Sequence, residues 1–205
     1  MITALEAQKR NKDKVNLYID GEFRCSLTAE SVVRARLKAG QELSDERLEE
    51  ILLTSETELA FKKALDYIAR AMKTKKQVLD YLCGKGFDMS AARRAVEKLE
   101  EYKYIDDRAF ARQYAELNAK QKGARRIRAE LLKKGLDEGC VSLAVEKLSR
   151  EKSEQAASDL AEKYMRGKAN DFKTLNKLSR FLASRGFDFD TIKSVVEGRK
   201  RDDWD

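Results

Sequence analysis

From Val15 to Leu27 the chain alternates in steps of two. Val15, Leu17 and Ile19 are apolar, then Phe23, Cys25 and Leu27, with Asp20-Gly21 between the two runs. Alternation around Asp-Gly predicts a β-hairpin with a type I′ turn, which needs positive φ at both central residues. A third strand is expected near Thr3 to Gln8. Beyond Thr28 the apolar spacing changes to three and four. Thr28 can cap a short helix carrying Val32, Val33 and Leu37 that stops at Gly40, and Ser44, with Asp45 and Glu46, opens a second one holding Leu48, Ile51 and Leu52. Together these predict a small α+β head over residues 1–54. Ser55 with Glu58 reads as a capping box, which places the start of a new helix just ahead of Leu59.

The rest of the chain is periodic on a longer scale. "LCGKGFD" at Leu82 to Asp88 returns as "LLKKGLD" at Leu131 to Asp137 and as "LASRGFD" at Leu182 to Asp188. In this register Phe61 matches Phe110, Leu65 matches Tyr114, Ile68 matches Leu117, and Val78, Ile127 and Leu178 coincide. "AVEKL" at 95–99 recurs at 144–148, with "VVEG" at 195–198 in the third copy. The repeated phrase has a physical meaning if Gly86, Gly135 and Gly186 are the left-handed residues that end a helix. Leu82, Leu131 and Leu182 then pack against Phe87, Leu136 and Phe187 across a Schellman ending, and Asp88, Asp137 and Asp188 cap the helix that follows. Each unit reads as three short helices, with units at 55–105, 106–152 and 153–205. A unit of this size buries little by itself, so neighbours should stack.

Composition agrees with a mainly α fold: 39% of residues are charged, 42% are apolar, and there is no proline. No apolar run approaches the ~18 residues of a membrane span, and "MITALEAQKRNKD" lacks the apolar segment of a signal peptide. A cytosolic protein is expected. Cys25, Cys83 and Cys140 are far apart and form no CxxC pair, which predicts buried thiols rather than disulfides or a zinc site. The absence of His removes the usual general base and the usual partner of a Ser or Cys nucleophile. Gly84-Lys85-Gly86 is too short a fragment to be a phosphate loop. Neither a metal nor an organic cofactor is expected.

Charge is unevenly distributed. The net value is +7, and Asn118 to Lys134 alone holds seven basic residues against a single acidic one, Glu130. Lys73, Lys122 and Lys173 fall at matching positions, with Gln77, Arg126 and Lys177 four residues on, which is one helix face. Candidate contacts to a polyanion are therefore Lys120, Lys122, Arg125, Arg126 and Arg128 in the middle unit, flanked by Lys73, Lys76, Lys173 and Lys177. Identical bends at the three glycines would align these cations into one long strip. The plainer reading is a solvated helix surface. Tyr102, Tyr104 and Phe110 are spaced for core packing rather than base stacking.

"YIDDRAFA", Tyr104 to Ala111, followed by "KGARRIRAELLKKGL", Lys122 to Leu136, resembles the signature of the RecX regulatory proteins, bacterial modulators of the RecA recombinase. The likeness extends from about Phe61 to Gly198 and includes "RFLASRGFDFDTI", Arg180 to Ile192. The hairpin head is similar to an N-terminal extension found in some Gram-positive members. This resemblance implies tandem three-helix repeats in an elongated, curved array and a monomer that lodges in the groove of the recombinase filament on single-stranded DNA. It also implies restraint of ATP turnover, strand exchange and filament growth, with no catalytic residues. The family's basic motif positions fall on Lys122, Arg125, Arg126 and Arg128. "LNAKQ", Leu117 to Gln121, lacks the extra arginines often seen there, so affinity for bare DNA should be modest. Two rivals stand beside this reading. One is a free-standing basic helical module for nucleic acid. The other is an enzyme, for which Asp106-Asp107 is the adjacent acidic pair, although that pair reads better as a helix cap.

Overall fold

A computed structural model describes residues 1–9, 11–148 and 150–201, and these form two compact units. One unit comprises Met1–Ala71 with Val78–Ile105, and the other Met72–Gln77 with the chain from Asp106 onward.

The first unit begins with an antiparallel sheet of β1 (Ile2–Ala7), β2 (Lys14–Ile19) and β3 (Glu22–Thr28), in that order. Asp20 and Gly21 have φ of 49° and 85°, the type I′ pair that the sequence predicts. The alternation fails at one place. Leu17 pairs with Cys25 but Tyr18 pairs with Phe23, so Arg24 is an extra residue in a bulge. Phe23 is thereby turned onto the face of Tyr18, with ring centroids 5.9 Å apart, and is 57% exposed instead of joining Cys25 and Leu27. Ile2, Leu17, Leu27, Leu37, Leu48 and Ile51 form the core of the head.

Thr28 caps α1 (Ala29–Arg34) and Ser44 caps α2 (Asp45–Ile68), as expected. The capping box at Ser55 and Glu58 does not form, because α2 runs unbroken through both residues. Residues three apart lie on one helix face wherever they fall, and here that face is turned to the head. Ser55 Oγ accepts the Thr28 amide at 2.9 Å. One carboxylate oxygen of Glu58 accepts from Ser31 Oγ at 3.2 Å, while the other meets the Arg34 guanidinium. Helix α2 therefore serves both the head and the first helical bundle. That bundle adds the later turns of α3 (Lys75–Gly84) and α4 (Met89–Glu101). Ala60, Ala64, Val78, Leu82, Ala92, Ala95 and Leu99 are fully buried in it, the alanines letting helix backbones approach closely.

The second unit contains α5 (Asp107–Asn118), α6 (Ala124–Lys133), α7 (Glu138–Glu146), α8 (Arg150–Met165), α9 (Phe172–Ser184) and α10 (Phe189–Arg201). One cluster centres on Phe110, Ile127, Leu131 and Val141, and another on Ala157, Ala161, Leu178 and Leu182. Asp106 caps α5, its carboxylate accepting the amides of Arg108 and Ala109. Among the described residues no helix is long and apolar enough to cross a membrane. All three cysteines are free thiols, but only Cys140 is buried; Cys25 and Cys83 are half-buried.

The three glycine corners have one geometry. Gly86, Gly135 and Gly186 have φ of 89°, 87° and 88°. The following residue donates to the carbonyl of Leu82, Leu131 or Leu182 at 3.3, 3.4 and 3.3 Å, and each glycine amide donates to the residue three before it. This is the Schellman pair of bonds. Asp88, Asp137 and Asp188 then accept the amides of Ser90, Cys140 and Thr191.

Candidate functional site

Two of these corners are seated on the start of another helix. In α3 the cap is Thr74, a fully buried residue in a true capping box: its amide donates to Gln77 Oε1, and its hydroxyl accepts the Gln77 amide. That same hydroxyl donates to the carbonyl of Lys134 at 2.7 Å. The matching residue in α6 is Gly123, whose amide donates to the carbonyl of Arg185 at 3.0 Å, and Arg125 N follows with Gly186 O at 3.2 Å. Each contact sets the negative end of one helix against the positive end of another. Close approach requires bare backbone. A Cβ on Gly123 would fall 2.3 Å from Gly186 O, and one on Gly186 would fall 2.4 Å from Arg126 Cβ. The Thr74–Gln77 pattern was legible in the sequence, but its use between helices was not.

This seating governs the basic stretch. Glu130, the lone acid, accepts from Lys122 Nζ at 2.6 Å, Tyr114 Oη at 2.7 Å and Arg126 Nε at 3.2 Å. Partial burial opposes ionisation of Glu130, but the three donors and the Lys122 charge outweigh it and bring its pKa to about 2. Desolvation, the bond to Glu130 and the Glu130 charge push the Tyr114 phenol up to about 12. Arg126 also donates to the Ser184 carbonyl at 3.1 Å. Arg128 is held away from this group, ion-paired with Glu138 and donating to Ser142 Oγ.

Of the predicted cations, Lys122, Arg126 and Arg128 are therefore structural partners within the fold. Lys120, Arg125, Lys173 and Lys177 are exposed and in none of the ion pairs found among the described residues. Lys73 is half-buried, and the stem of Lys76 lies against Gly135. The positions that match in sequence differ in setting, so they do not make one uniform strip. Helices α3 and α6 have 10 residues each and α9 has 13, all three ending two residues before their glycine. The extra turn of α9 is at its start, capped by Asp171, and it carries Lys173 into a helix where Lys73 and Lys122 precede one.

The tyrosines also depart from expectation. Phe110 is buried, but Tyr102 and Tyr104 are 53% and 57% exposed. They stand edge-on to each other at 6.2 Å and to Phe61 at 5.9 and 6.5 Å, with Lys98 Nζ 5.0 Å from the Phe61 ring centre. Ile105 takes the core position between this loop and the next helix. A Tyr-Lys-Tyr loop with Lys103 at φ 61° places both rings on the surface, a turn that apolar spacing alone does not reveal.

Comparison with known proteins gives one consistent answer. The family model described as "Regulatory protein RecX N-terminal domain" matches residues 1–44. Models of the first, second and third three-helix domains of RecX match 60–99, 106–145 and 152–196. The chain is 35% identical over 199 residues to "Regulatory protein RecX" of Clostridium tetani, covering 95% of this chain and 92% of that one. It is 33% identical to the protein of the same name from Bacillus licheniformis, over 96% of this chain and 76% of that one. A crystal structure of regulatory protein RecX superposes with a TM-score of 0.74 at 25% identity, over 96% of this chain and 98% of that one. A RecX structure from Lactobacillus salivarius, at 23% identity, gives 0.66 over 72% and 98% and supports the fold.

Proposed function

This chain belongs to the RecX family of regulatory proteins, and we propose that it regulates the RecA recombinase by binding, as a cytoplasmic monomer, in the groove of its filament on single-stranded DNA. The reading is carried by the match to all four RecX domains in order along one chain. It is supported by Lys120, Arg125, Lys173 and Lys177, which stand exposed and outside the ion pairs found among the described residues, where they can meet DNA phosphates or acidic side chains of the filament. Bound along neighbouring subunits, the protein hinders ATP turnover, strand exchange and filament growth.

The test is to add it in sub-stoichiometric amounts to the cognate recombinase on single-stranded DNA and follow ATP hydrolysis and filament length. Inhibition with shortened filaments is expected. An unchanged rate and length would overturn the reading. Charge reversal at Lys120 and Arg125 separates it from a free-standing nucleic-acid module. If naked-DNA binding is lost and filament regulation survives, the module reading fails.

A further inference from the structure

Leu99, Leu148 and Arg199 stand at one distance, 13 residues, beyond Gly86, Gly135 and Gly186. In the first repeat that position is a fully buried Leu99, and in the second Leu148 packs on the cluster around Ile127 and Leu131. In the third repeat it is an arginine, which does not close an apolar core as leucine does. The third repeat is open there. A cleft of about 330 Å³ is lined by Glu162 and Met165 of α8, by Arg166, Lys168 and Asn170 of the loop to α9, and by Arg199 of α10.

Three cations and one carboxylate therefore line the same space. Arg166 and Lys168 are exposed and Arg199 is half-buried, and among the described residues none of the three is in an ion pair. Their setting is fixed by two contacts. Asn170 Nδ2 donates to the Arg199 carbonyl at 2.8 Å, tying the loop to α10. Lys168 Nζ lies 3.4 Å from the centre of the Tyr164 ring, which stacks on Phe181 at 4.8 Å.

A single basic residue at a helix end is explained by the helix dipole. Three around one cleft call for an anion, because like charges in one place repel. Elsewhere the charges balance: Arg34, Arg94 and Lys98 share a cleft with Glu58, Glu97 and Glu101. Arg199 also borders a groove holding Glu151 and Glu154, but Glu154 is paired with Arg150, and among the described residues neither acid is paired with Arg199.

We infer that this cleft binds a phosphate group, carried by a nucleotide or by the backbone of single-stranded DNA. Arg166 and Arg199 offer planar forks to its oxygens, and Lys168 offers a point charge. The volume is at the small end of the range for ligand sites, about 300–1,000 Å³, which suits one nucleotide unit in either form. The inference needs no recombinase, so it stands or falls apart from the filament reading.

The test titrates the full chain, isotopically labelled, with inorganic phosphate, ADP and a short thymidine oligonucleotide while backbone amides are followed by NMR. The full chain keeps Asp202, Asp203 and Asp205, which lie outside the described residues, as competitors for the cations. Signals of Gly167, Lys168 and Asn170 should shift and saturate. Arg199→Leu restores the residue of the other two repeats; it should melt no earlier than the unaltered chain and, read at those amides, bind about tenfold or more weakly. Saturation by ADP at lower concentration than by the oligonucleotide marks a nucleotide site, and the reverse order marks a strand site. No saturable shift with any of the three, or equal binding by Arg199→Leu, overturns the inference. Should Arg199→Leu melt early, the exposed change Arg166→Gln decides instead: weaker binding supports the cleft, and unchanged binding overturns it.

Discussion

The amide of Gly123 donates to the carbonyl of Arg185 at 3.0 Å, joining the start of α6 to the end of α9 across most of the second unit. Thr74 makes the corresponding bond to Lys134 with a hydroxyl instead of an amide. Backbone position, not side-chain identity, is what the two junctions share. This explains how a buried, fully bonded Thr and a bare Gly can occupy matching places.

Glycines of one chain should accordingly respond to Ala with opposite signs. Gly123→Ala drives a methyl into the Gly186 backbone and is expected to cost about 1–3 kcal/mol or more. Gly84→Ala, inside α3 with nothing within 4 Å, should instead stabilise by up to about 1 kcal/mol. Urea unfolding of the two variants beside the unaltered chain checks both.

Acid should expose the role of Glu130. Its folded pKa of about 2 lies below the unfolded value, so its contribution is complete above the unfolded value and is lost as pH falls toward 2. At neutral pH, Glu130→Gln should cost about 1.5–3 kcal/mol, the range for hydrogen bonds to a charged group. Near about pH 3 the gap between variant and unaltered chain should have narrowed, since unfolded Glu titrates near about 4.3. A gap of the same size at both pH values would contradict the assignment.

Neighbouring cations should divide into structural and available ones. Lys122→Ala removes a 2.6 Å bond to Glu130 and should lower the melting temperature. The double variant Lys120→Glu, Lys177→Glu should leave melting unchanged, because both side chains are exposed and neither is in an ion pair of the described residues. If these two meet DNA phosphates, the salt dependence of binding to a single-stranded oligonucleotide should flatten by about 0.7 for every phosphate no longer neutralised. Fluorescence anisotropy over a salt series measures this.

Ser55→Ala removes the acceptor of the buried Thr28 amide, leaving it unpaired at a cost of about 1–3 kcal/mol. Hydrogen exchange should quicken at Thr28 and along β3. Unaltered exchange there would show that α2 does not hold the sheet through this bond.

Part of this molecule was legible in the chain. The type I′ turn at Asp20-Gly21, the caps at Thr28 and Ser44 and the corners at Gly86, Gly135 and Gly186 all follow from interactions within about six residues, where spacing and φ preference suffice. Ser55 with Glu58 shows where such reading stops: an i, i+3 pair is identical in sequence whether it starts a helix or lies within one. The choice between them was made by Thr28, Ser31 and Arg34, which meet it from the head.

The amino-acid order by itself therefore determined three equal helix endings, a hairpin and a surplus of positive charge. Only the tertiary structure decided which cations remain available. One carboxylate, Glu130, draws in Lys122 and Arg126 together with Tyr114, while Lys120 and Arg125 stay exposed. The physical reason is that a charge is neutralised by what surrounds it in space, and at Glu130 those neighbours are gathered from α5, α6 and the loop between them.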